Sequence, residues 1–347
     1  GCAVGSIGTP SGGGRNVLLE AGYEIFVIDS NINSTVIPLE RLKNLKYSNQ
    51  IDFEKNLRFF NGDIRDSKLL RAIFLNCKNE GKPIEAVVHF AGLKSVPESI
   101  TLPLSYWEVN VGGTISLVKV MKEFNCKTIV FSSSASIYNF SGQKLLTEKD
   151  KIKPNSPYGQ TKDTVEKILL ANYESSKLDW KIANLRYFNP IGAHPSGNIG
   201  ESFNTKSDNL FPHICMVANG LKKDLKIFGN NWPTKDGTCI RDYIHVLDLA
   251  EAHMAAIKML QNEDHKIVNI NIGTGKGTSI LELVRIFEKV NKCKIPITYT
   301  ERRMGDIPFS VADNSLALDI LNWNPKRNVE EMCKDGWEWL TKNPNGY

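Results

Sequence analysis

The sequence predicts a doubly wound α/β protein: a parallel sheet covered by helices, with a smaller interleaved carboxyl-terminal part. Three observations carry this. Short apolar runs alternate with helical patterns through the first half of the chain. The runs end on polar or small residues, where such sheets bind their ligands. After about residue 190 the texture changes to a Gly/Pro/Asn-rich loop, then helices alternating with shorter strands. The reading divides the chain into residues 1–190, a nucleotide-binding part, and residues 191–347, a substrate part interleaved with the sheet.

EIFVID (24–29) is a continuous apolar run and reads as a buried strand. LRFFNGDI (57–64) is a second, and SKLLRAIFLNC an amphipathic helix. IEAVVHFAG (84–92) is a strand ending in glycine. PLSYWEVNVGGTISLVKVMKEF reads as one long helix with internal glycines. CKTIVFSSS is a strand running into three serines, PYGQTKDTVEKILLANYESS a helix, and KIANLRYFNPIG (181–192) a strand. Beyond the 190–209 loop, NLFPHICMVANGL, RDYIHVLDLAEAHMAAIKML and SILELVRIFEKV read as helices, LKIFG and VNINIG as strands.

Composition excludes several classes. The 347 residues carry a net charge of only +5, with no basic block, so nucleic acid is not implied. No apolar run approaches the roughly 18 residues of a membrane span. Seven scattered cysteines, without CxxC spacing, suit reduced thiols and a cytoplasmic setting. The six histidines (His89, His194, His213, His245, His253, His265) show no metal-ligand spacing, and no metal is expected.

The chemistry concentrates in residues 131–162. Tyr158 and Lys162 stand one helical turn apart, downstream of the serine-tipped strand. An ammonium beside a phenol lowers its pKa from about 10 towards neutrality. A nearby serine hydroxyl can bond the same substrate oxygen. Such a group moves a proton on and off an alcohol while a hydride leaves its carbon. A second pair of the same spacing, Tyr173–Lys177, lies far along the same helix, with no serine strand end or Pro157 beside it.

Asp29 ends a strand about twenty residues after the first glycines, where a Rossmann-like fold keeps an acid for the ribose hydroxyls; this favours NAD over NADP. Asp63 and Ile64 are placed to flank the adenine, and Lys94 and Asn110 to reach the cofactor pocket. The glycine loop is irregular. Gly5 and Gly8 have the right spacing, but Cys2 stands where a third glycine belongs, and Pro10 and the 12–14 glycine run delay the helix. The segment reads equally as a flexible linker. No strand is visible before Gly5, so the sheet is expected to lack its first strand, as in a truncated or mis-joined chain.

LLEAGYE, HFAGLKSVPES, FSSSASIY, PYGQTK, LRYFNPIGAHPSG, IFGNN, DGTCIRDYIHVLDLAEAH, NIGTGKGTS and RRMGD together resemble the UDP-galactose (UDP-glucose) 4-epimerases of the extended short-chain dehydrogenase/reductase family, over about residues 17–347. The resemblance implies NAD-dependent inversion of a UDP-sugar at C4. Tyr158 would be the proton-transfer group, Lys162 would hold the nicotinamide ribose, and Ser134 would bond the 4-hydroxyl. Phe90, Ala91, Gly92, Leu93, Lys94, Asn110 and Phe188 would line NAD. Asn189, Asn209, Leu210, Ile227, Phe228, Arg241, Arg303 and Asp306 would hold the UDP-sugar, the guanidinium groups suiting its pyrophosphate. Ser310, four residues beyond Asp306, would set pocket size; a small residue there implies that UDP-GalNAc and UDP-GlcNAc are also accepted.

The resemblance further implies a homodimer through helices near 103–124 and 157–175. The stripe Val165, Ile168, Leu169 with Val118 and Met121 fits that seam, and equally fits cover for the chain's own sheet. A dehydratase relative would need an Asp–Glu pair where Ser133–Ser134 stand. The competing class is a non-catalytic nucleotide-sugar-binding homologue with impaired NAD binding, supported only by the irregular amino-terminal segment.

Overall fold

The computed structural model describes residues 2–5, 18–19, 21–32, 34–42, 53–139, 142, 144–201, 209–262, 266–303 and 305–347. Its centre is a sheet of seven parallel strands: β1 (Cys2–Gly5), β2 (Glu24–Asp29), β3 (Leu57–Asn61), β4 (Ile84–His89), β5 (Thr128–Ser134), β6 (Lys181–Tyr187) and, after intervening strands, β10 (Lys266–Ile272). The spatial order is β3-β2-β1-β4-β5-β6-β10. Strand order reverses between β1 and β4, the switch point at which open α/β sheets bind nucleotides.

β1 corrects the expectation that the first strand is missing. Ala3 pairs with Ile25 on one side and Ala86 on the other, at the centre of the sheet. Four residues make too short an apolar run to be read locally; the slot is defined by neighbours on both sides. Gly5 closes β1, whereas Gly8 lies outside the described residues.

The main helices are α1 (Ser67–Asn79), α2 (Gly113–Glu123), α3 (Pro157–Ser175), α4 (Leu210–Ala218), α5 (Val246–Asn262), α6 (Ile280–Asn291) and α7 (Val329–Lys342). The pleat of β5 sends Ile129 and Phe131 to a core shared with α1, α2 and α3, and Val130 to a core shared with α5. Both faces are therefore covered. Each fully buried Leu, Ile or Phe contributes about 1.5–3 kcal/mol. A third core joins α4, α6 and α7 around Phe211, Phe287 and Leu340.

Three expectations are refined. The long helix is interrupted: Pro103–Tyr106 is α-helical, Trp107–Gly112 is a π-helical turn, and α2 follows. Residues 181–192 form two strands, because the chain leaves the main sheet at Phe188 and joins a second one as β7 (Asn189–Ile191). RDYIH belongs to a strand, β9 (Ile240–His245), and only then does α5 begin. β9 is the hub of that second sheet, pairing with β7, β11 (Gly277–Ser279) and β13 (Phe309–Ser310). β8 (Leu225–Phe228) pairs with β12 (Ile297–Thr300) beside it.

Of the stripe that fits either a seam or cover for the chain's own sheet, Val165, Leu169, Val118 and Met121 are buried against that sheet and Ile168 is half-buried. The apolar side chains left exposed nearby are Ile100, Leu102, Leu104, Ile115 and Leu170. No helix among the described residues is long and apolar enough to cross a membrane.

Candidate active site

The site is built where β5 meets the start of α3. β5 ends at Ser134 and turns at once into a 3₁₀ turn, Ala135–Ile137. The Ser134 hydroxyl caps that turn, accepting the Ser136 N–H at 3.1 Å. α3 opens with Ser156 as N-cap, accepting the Gly159 N–H at 3.1 Å, and Pro157 in the first turn. Gly159 lets the two segments touch: a Cβ there would lie 2.5 Å from the Ser136 carbonyl oxygen. Tyr158 is thereby brought to Ser134, and both are buried.

Lys162 is buried one turn on. Its ammonium donates to the Ser132 carbonyl at 2.8 Å and lies 4.9 Å from the Phe131 ring centroid and 5.8 Å from that of Tyr158. Burial pushes its pKa down to about 8, against the pull of Glu166. Tyr158 departs from expectation. Burial raises its pKa above the usual phenol value, and the Ser134 hydrogen bond only partly offsets this. The lysine turns to a carbonyl and a ring face, so it does not by itself bring the phenol towards neutrality.

Tyr106 stands edge-on to Tyr158, ring centroids 6.4 Å apart. Its hydroxyl donates to Glu98 at 2.8 Å and accepts the Ser95 N–H at 2.9 Å, which fixes the loop after β4. Asn110 holds the same loop. Its side chain accepts the Leu93 N–H at 2.7 Å and donates to the Leu93 carbonyl and to Thr161 Oγ1, each at 3.0 Å. Thr161 in turn donates to the Tyr158 carbonyl at 2.7 Å. The π-helical turn carries Asn110 to this position, a use of such turns common at functional sites. Gly92 lies so close that a Cβ would come within 2.8 Å of Asn110 Oδ1. Phe90 packs on His253 at 4.6 Å between centroids. Burial holds His253 neutral, with a pKa of about 4. Its Nδ1 donates to the Leu249 carbonyl, so Nε2 accepts the Ser132 hydroxyl at 2.9 Å.

The other cofactor candidates fall along the strand ends. Asp29 is buried at the end of β2, where it accepts the Asn31 N–H at 2.9 Å and the Ser34 hydroxyl at 2.8 Å. Asp63 is gripped by Arg65 at 2.7 and 3.0 Å, which holds its carboxyl below the usual range. Ile64 packs against Gly113 at the start of α2. Ala91 is half-buried and Lys94 exposed, with its ammonium 2.9 Å from Glu201. This set fits a dinucleotide. A buried acid ends β2, the loop after β4 is fixed by Asn110, and Lys162 has one acceptor among the described residues for its three N–H groups.

Among the substrate candidates, Asn189, Arg241 and Ser310 lie on the second sheet, Ile227 and Phe228 on β8, and Asn209 and Leu210 at the start of α4. Arg241, on β9, is paired with Ser310 on β13. Its Nη1 donates to the Ile240 and Ile307 carbonyls, and its Nη2 lies 3.7 Å from Asp306. Arg303 stacks 4.1 Å above the Phe228 ring. The chain ties this cluster to the catalytic one within two residues: Tyr187 pairs with Ser134, Phe188 donates its N–H to Ile272, and Asn189 pairs with Tyr243 on β9. Asn209 is exposed at the N-cap of α4, and Leu210 is half-buried against the third core. Ile227 is 1 % exposed in that core, which leaves only its main chain to offer a ligand.

Sequence reasoning missed Tyr106, Glu166, Arg186, Tyr187 and His253. The available signals were an arginine inside the apolar strand LRYF and a glutamate one turn beyond Lys162.

A 3-2-1-4-5-6 strand order, an acid ending β2 and a serine–tyrosine–lysine group at β5 and α3 define an extended short-chain dehydrogenase/reductase. The family model described as GDP-mannose 4,6 dehydratase matches residues 15–336. UDP-glucose 4-epimerase from Bacillus subtilis (strain 168) is 44% identical over 330 residues, covering 95% of this chain and 93% of the relative. UDP-glucose 4-epimerase 2 from Arabidopsis thaliana is 44% identical over 330 residues, covering 95% and 91%. A UDP-glucose 4-epimerase structure from Stenotrophomonas maltophila, with NAD and formylated UDP-arabinopyranose, superposes with a TM-score of 0.91 at 37% identity, covering 98% of each chain. That from Bifidobacterium longum, with NAD+ and UDP, gives 0.91 at 36%, covering 100% of each. The chain belongs to the UDP-glucose 4-epimerase family.

Proposed function

We propose that this protein is an NAD-dependent epimerase that interconverts UDP-galactose and UDP-glucose at C4. The observation that carries the reading is the buried Ser134–Tyr158–Lys162 group at the end of β5, two strands from the switch point. NAD, when bound, takes up and returns the two electrons at sugar C4. Asp29, the loop 90–94, Asn110 and Lys162 hold it. Ser134 donates to or accepts from the 4-oxygen and orients it towards Tyr158. Tyr158 Oη takes the 4-hydroxyl proton and gives it back to the same oxygen after the turned sugar is reduced at C4 on its other face.

Arg241 and Arg303 bind the pyrophosphate, Asp306 the uridine ribose, and Phe228 packs beside them. Anchoring through UDP, not through the sugar, lets both faces of C4 be presented. Ser310 leaves room for a 2-acetamido group, so UDP-GalNAc and UDP-GlcNAc are interconverted too. In this reading residues 1–190 hold NAD and residues 191–347 hold the UDP-sugar. The chain works as a homodimer through the exposed apolar residues of 100–115 and Leu170, and its thiols suit the cytoplasm. The rival non-catalytic reading drew on the irregular glycine loop, of which residues 6–17 lie outside the described residues; nothing in the site favours it, and the first strand, β1, is in place.

The test is turnover of UDP-galactose together with the NAD released on denaturation. The wild-type chain should show both. Tyr158→Phe should lose turnover by about 10²-fold or more while still binding UDP, and Tyr173→Phe should be nearly silent. Wild-type turnover in Tyr158→Phe would refute the mechanism.

A further inference from the structure

Behind Lys162 lies a buried ionic group that the reaction does not use directly. Glu166 stands one turn beyond Lys162 on α3 and is 6 % exposed. Its Oε1 accepts the Ser133 hydroxyl at 2.5 Å and Arg186 Nε at 3.0 Å, and its Oε2 accepts Arg186 Nη2 at 2.6 Å. Arg186 is 1 % exposed and is the register partner of Ser133 across β5 and β6. Its Nη1 donates to the Tyr138 hydroxyl at 2.9 Å and the Glu148 carbonyl at 3.1 Å. One carboxylate thus ties the active-site helix to two strands.

Stability is a poor reason for this arrangement. A buried ion pair is often no more stable than apolar residues of the same volume, because desolvation offsets the attraction. Location gives a better reason. Lys162, on the same helix as Glu166, is a second buried cation beside Arg186 of β6, and its hydrogen bond goes to a neutral carbonyl. Its surroundings supply little countercharge. On α3 it has Tyr158, a phenol raised by burial, and Asp163, whose Oδ2 takes Lys167 at 2.6 Å. On β4 it faces His89, which burial and Lys162 itself push down to about 3. β5 offers the Phe131 ring and the Ser132 carbonyl. β6 contributes Tyr187, a phenol also raised by burial, and Arg186, whose charge Glu166 already meets. From α5 comes the neutral His253. Glu166 is the anion that supports the ammonium charge.

We propose that Glu166 is a positioning residue for the reaction, held by Ser133 and Arg186 so that its carboxylate balances the Lys162 ammonium and keeps it charged inside the protein. The proposal rests on reading Tyr158 and Lys162 as the catalytic pair.

A pure tether and a counter-charge differ in their pH dependence. The folded pKa of Lys162, about 8, lies below its ordinary 10.5. Its contribution to stability is therefore complete above 10.5 and is lost as pH falls through about 8, where the buried ammonium forms. Without the Glu166 charge that folded pKa drops further, by about one unit.

The experiment is Glu166→Gln in the holoenzyme; glutamine keeps the shape and can still accept the Ser133 hydroxyl. Turnover relative to wild type should fall about tenfold between pH 6 and pH 9, as the alkaline limb moves down by about one unit. The gap in melting temperature between the two proteins should narrow over the same range, because both lysines become neutral. A uniform loss of turnover with a constant gap would make Glu166 a tether only and overturn the proposal. If Glu166→Gln does not fold, Arg186→Met frees the Glu166 charge from its competing cation and should move the limb up; an unmoved limb overturns the proposal. Lys162→Met separates the two readings. Wild-type turnover there would sink the catalytic pair itself, whereas an inactive Lys162→Met beside an unmoved limb in the glutamine variant would sink the role of Glu166 alone.

Discussion

Replacing Gly159 by alanine tests whether the contact between α3 and the turn after β5 sets the position of Tyr158. In a helix the change ordinarily stabilises by up to about 1 kcal/mol. Here the new Cβ would lie 2.5 Å from the Ser136 carbonyl oxygen and 2.9 Å from Pro154 Cβ. Carbon–oxygen contacts begin at about 3.3 Å, so the two segments must part by roughly 0.8 Å. The obstruction at Ser136 is main chain, not the far end of a flexible side chain. Ser136 is also bonded to Ser134 through its N–H. The displacement therefore falls on Tyr158, Ser134 or both. Overpacking costs about 1–3 kcal/mol, which outweighs the helix gain, so the variant should melt below wild type. A shift approaching 1 Å between catalytic groups costs about 10²-fold in rate, so kcat should fall by about 10- to 100-fold. KM for UDP-galactose should change by less than about threefold, because the proposed UDP contacts, Arg241 and Arg303, lie outside the two displaced segments. Oxidation of the UDP-glucose product by a coupling dehydrogenase, followed as NADH absorbance, gives both constants, and calorimetry gives the melting temperature. Unchanged kcat with a raised melting temperature would refute the argument.

Two further outcomes are expected. Ser310→Tyr should abolish turnover of UDP-GalNAc and UDP-GlcNAc while sparing UDP-galactose, since a bulky ring fills the space of the acetamido group; equal loss on both sugar classes would show that Ser310 does not select. Light scattering at micromolar concentration should give a dimer, and Leu104→Lys, at a side chain 80 % exposed in the single chain, should shift it towards monomer; a monomeric wild type would contradict the proposed seam.

The sheet was legible because buried parallel strands are continuous apolar runs. EIFVID is buried at every position. β1 was not legible, since its four residues are defined by partners distant in sequence. β9 was read as helix because IRDYIH looks polar. Asp242 within it is fully buried, and its carboxylate accepts N–H groups from Thr274, Gly275 and Ala312, contacts that no local pattern announces. The Tyr158–Lys162 pair was legible because both residues lie on one helix. Its electrostatics were not: the lysine's acceptor is a strand carbonyl 30 residues upstream. The π-helical turn at Asn110 left no signal beyond two glycines.

The three serines of β5 bear on which chemistry this strand end supports. The pleat sends the Ser132 hydroxyl to His253 on α5 and the Ser133 hydroxyl to Glu166 on α3, while Ser134 serves Tyr158. A dehydratase relative would carry an Asp–Glu pair at 133 and 134. A carboxylate at position 133 would replace a hydroxyl that now donates to Glu166 at 2.5 Å. It would bring two anions together beside a single arginine, and like charges in so buried a place cannot both ionise. One would take up a proton, or the Glu166–Arg186 pair would break, at about 3–5 kcal/mol for a charge left unpaired. The surroundings of β5 are thus matched to serine at 133. A strand end that offers hydroxyls and one buried phenol can pass a proton to and from an alcohol. Among the described residues it has no spare carboxylic acid to drive an elimination, which favours redox-neutral inversion over loss of water.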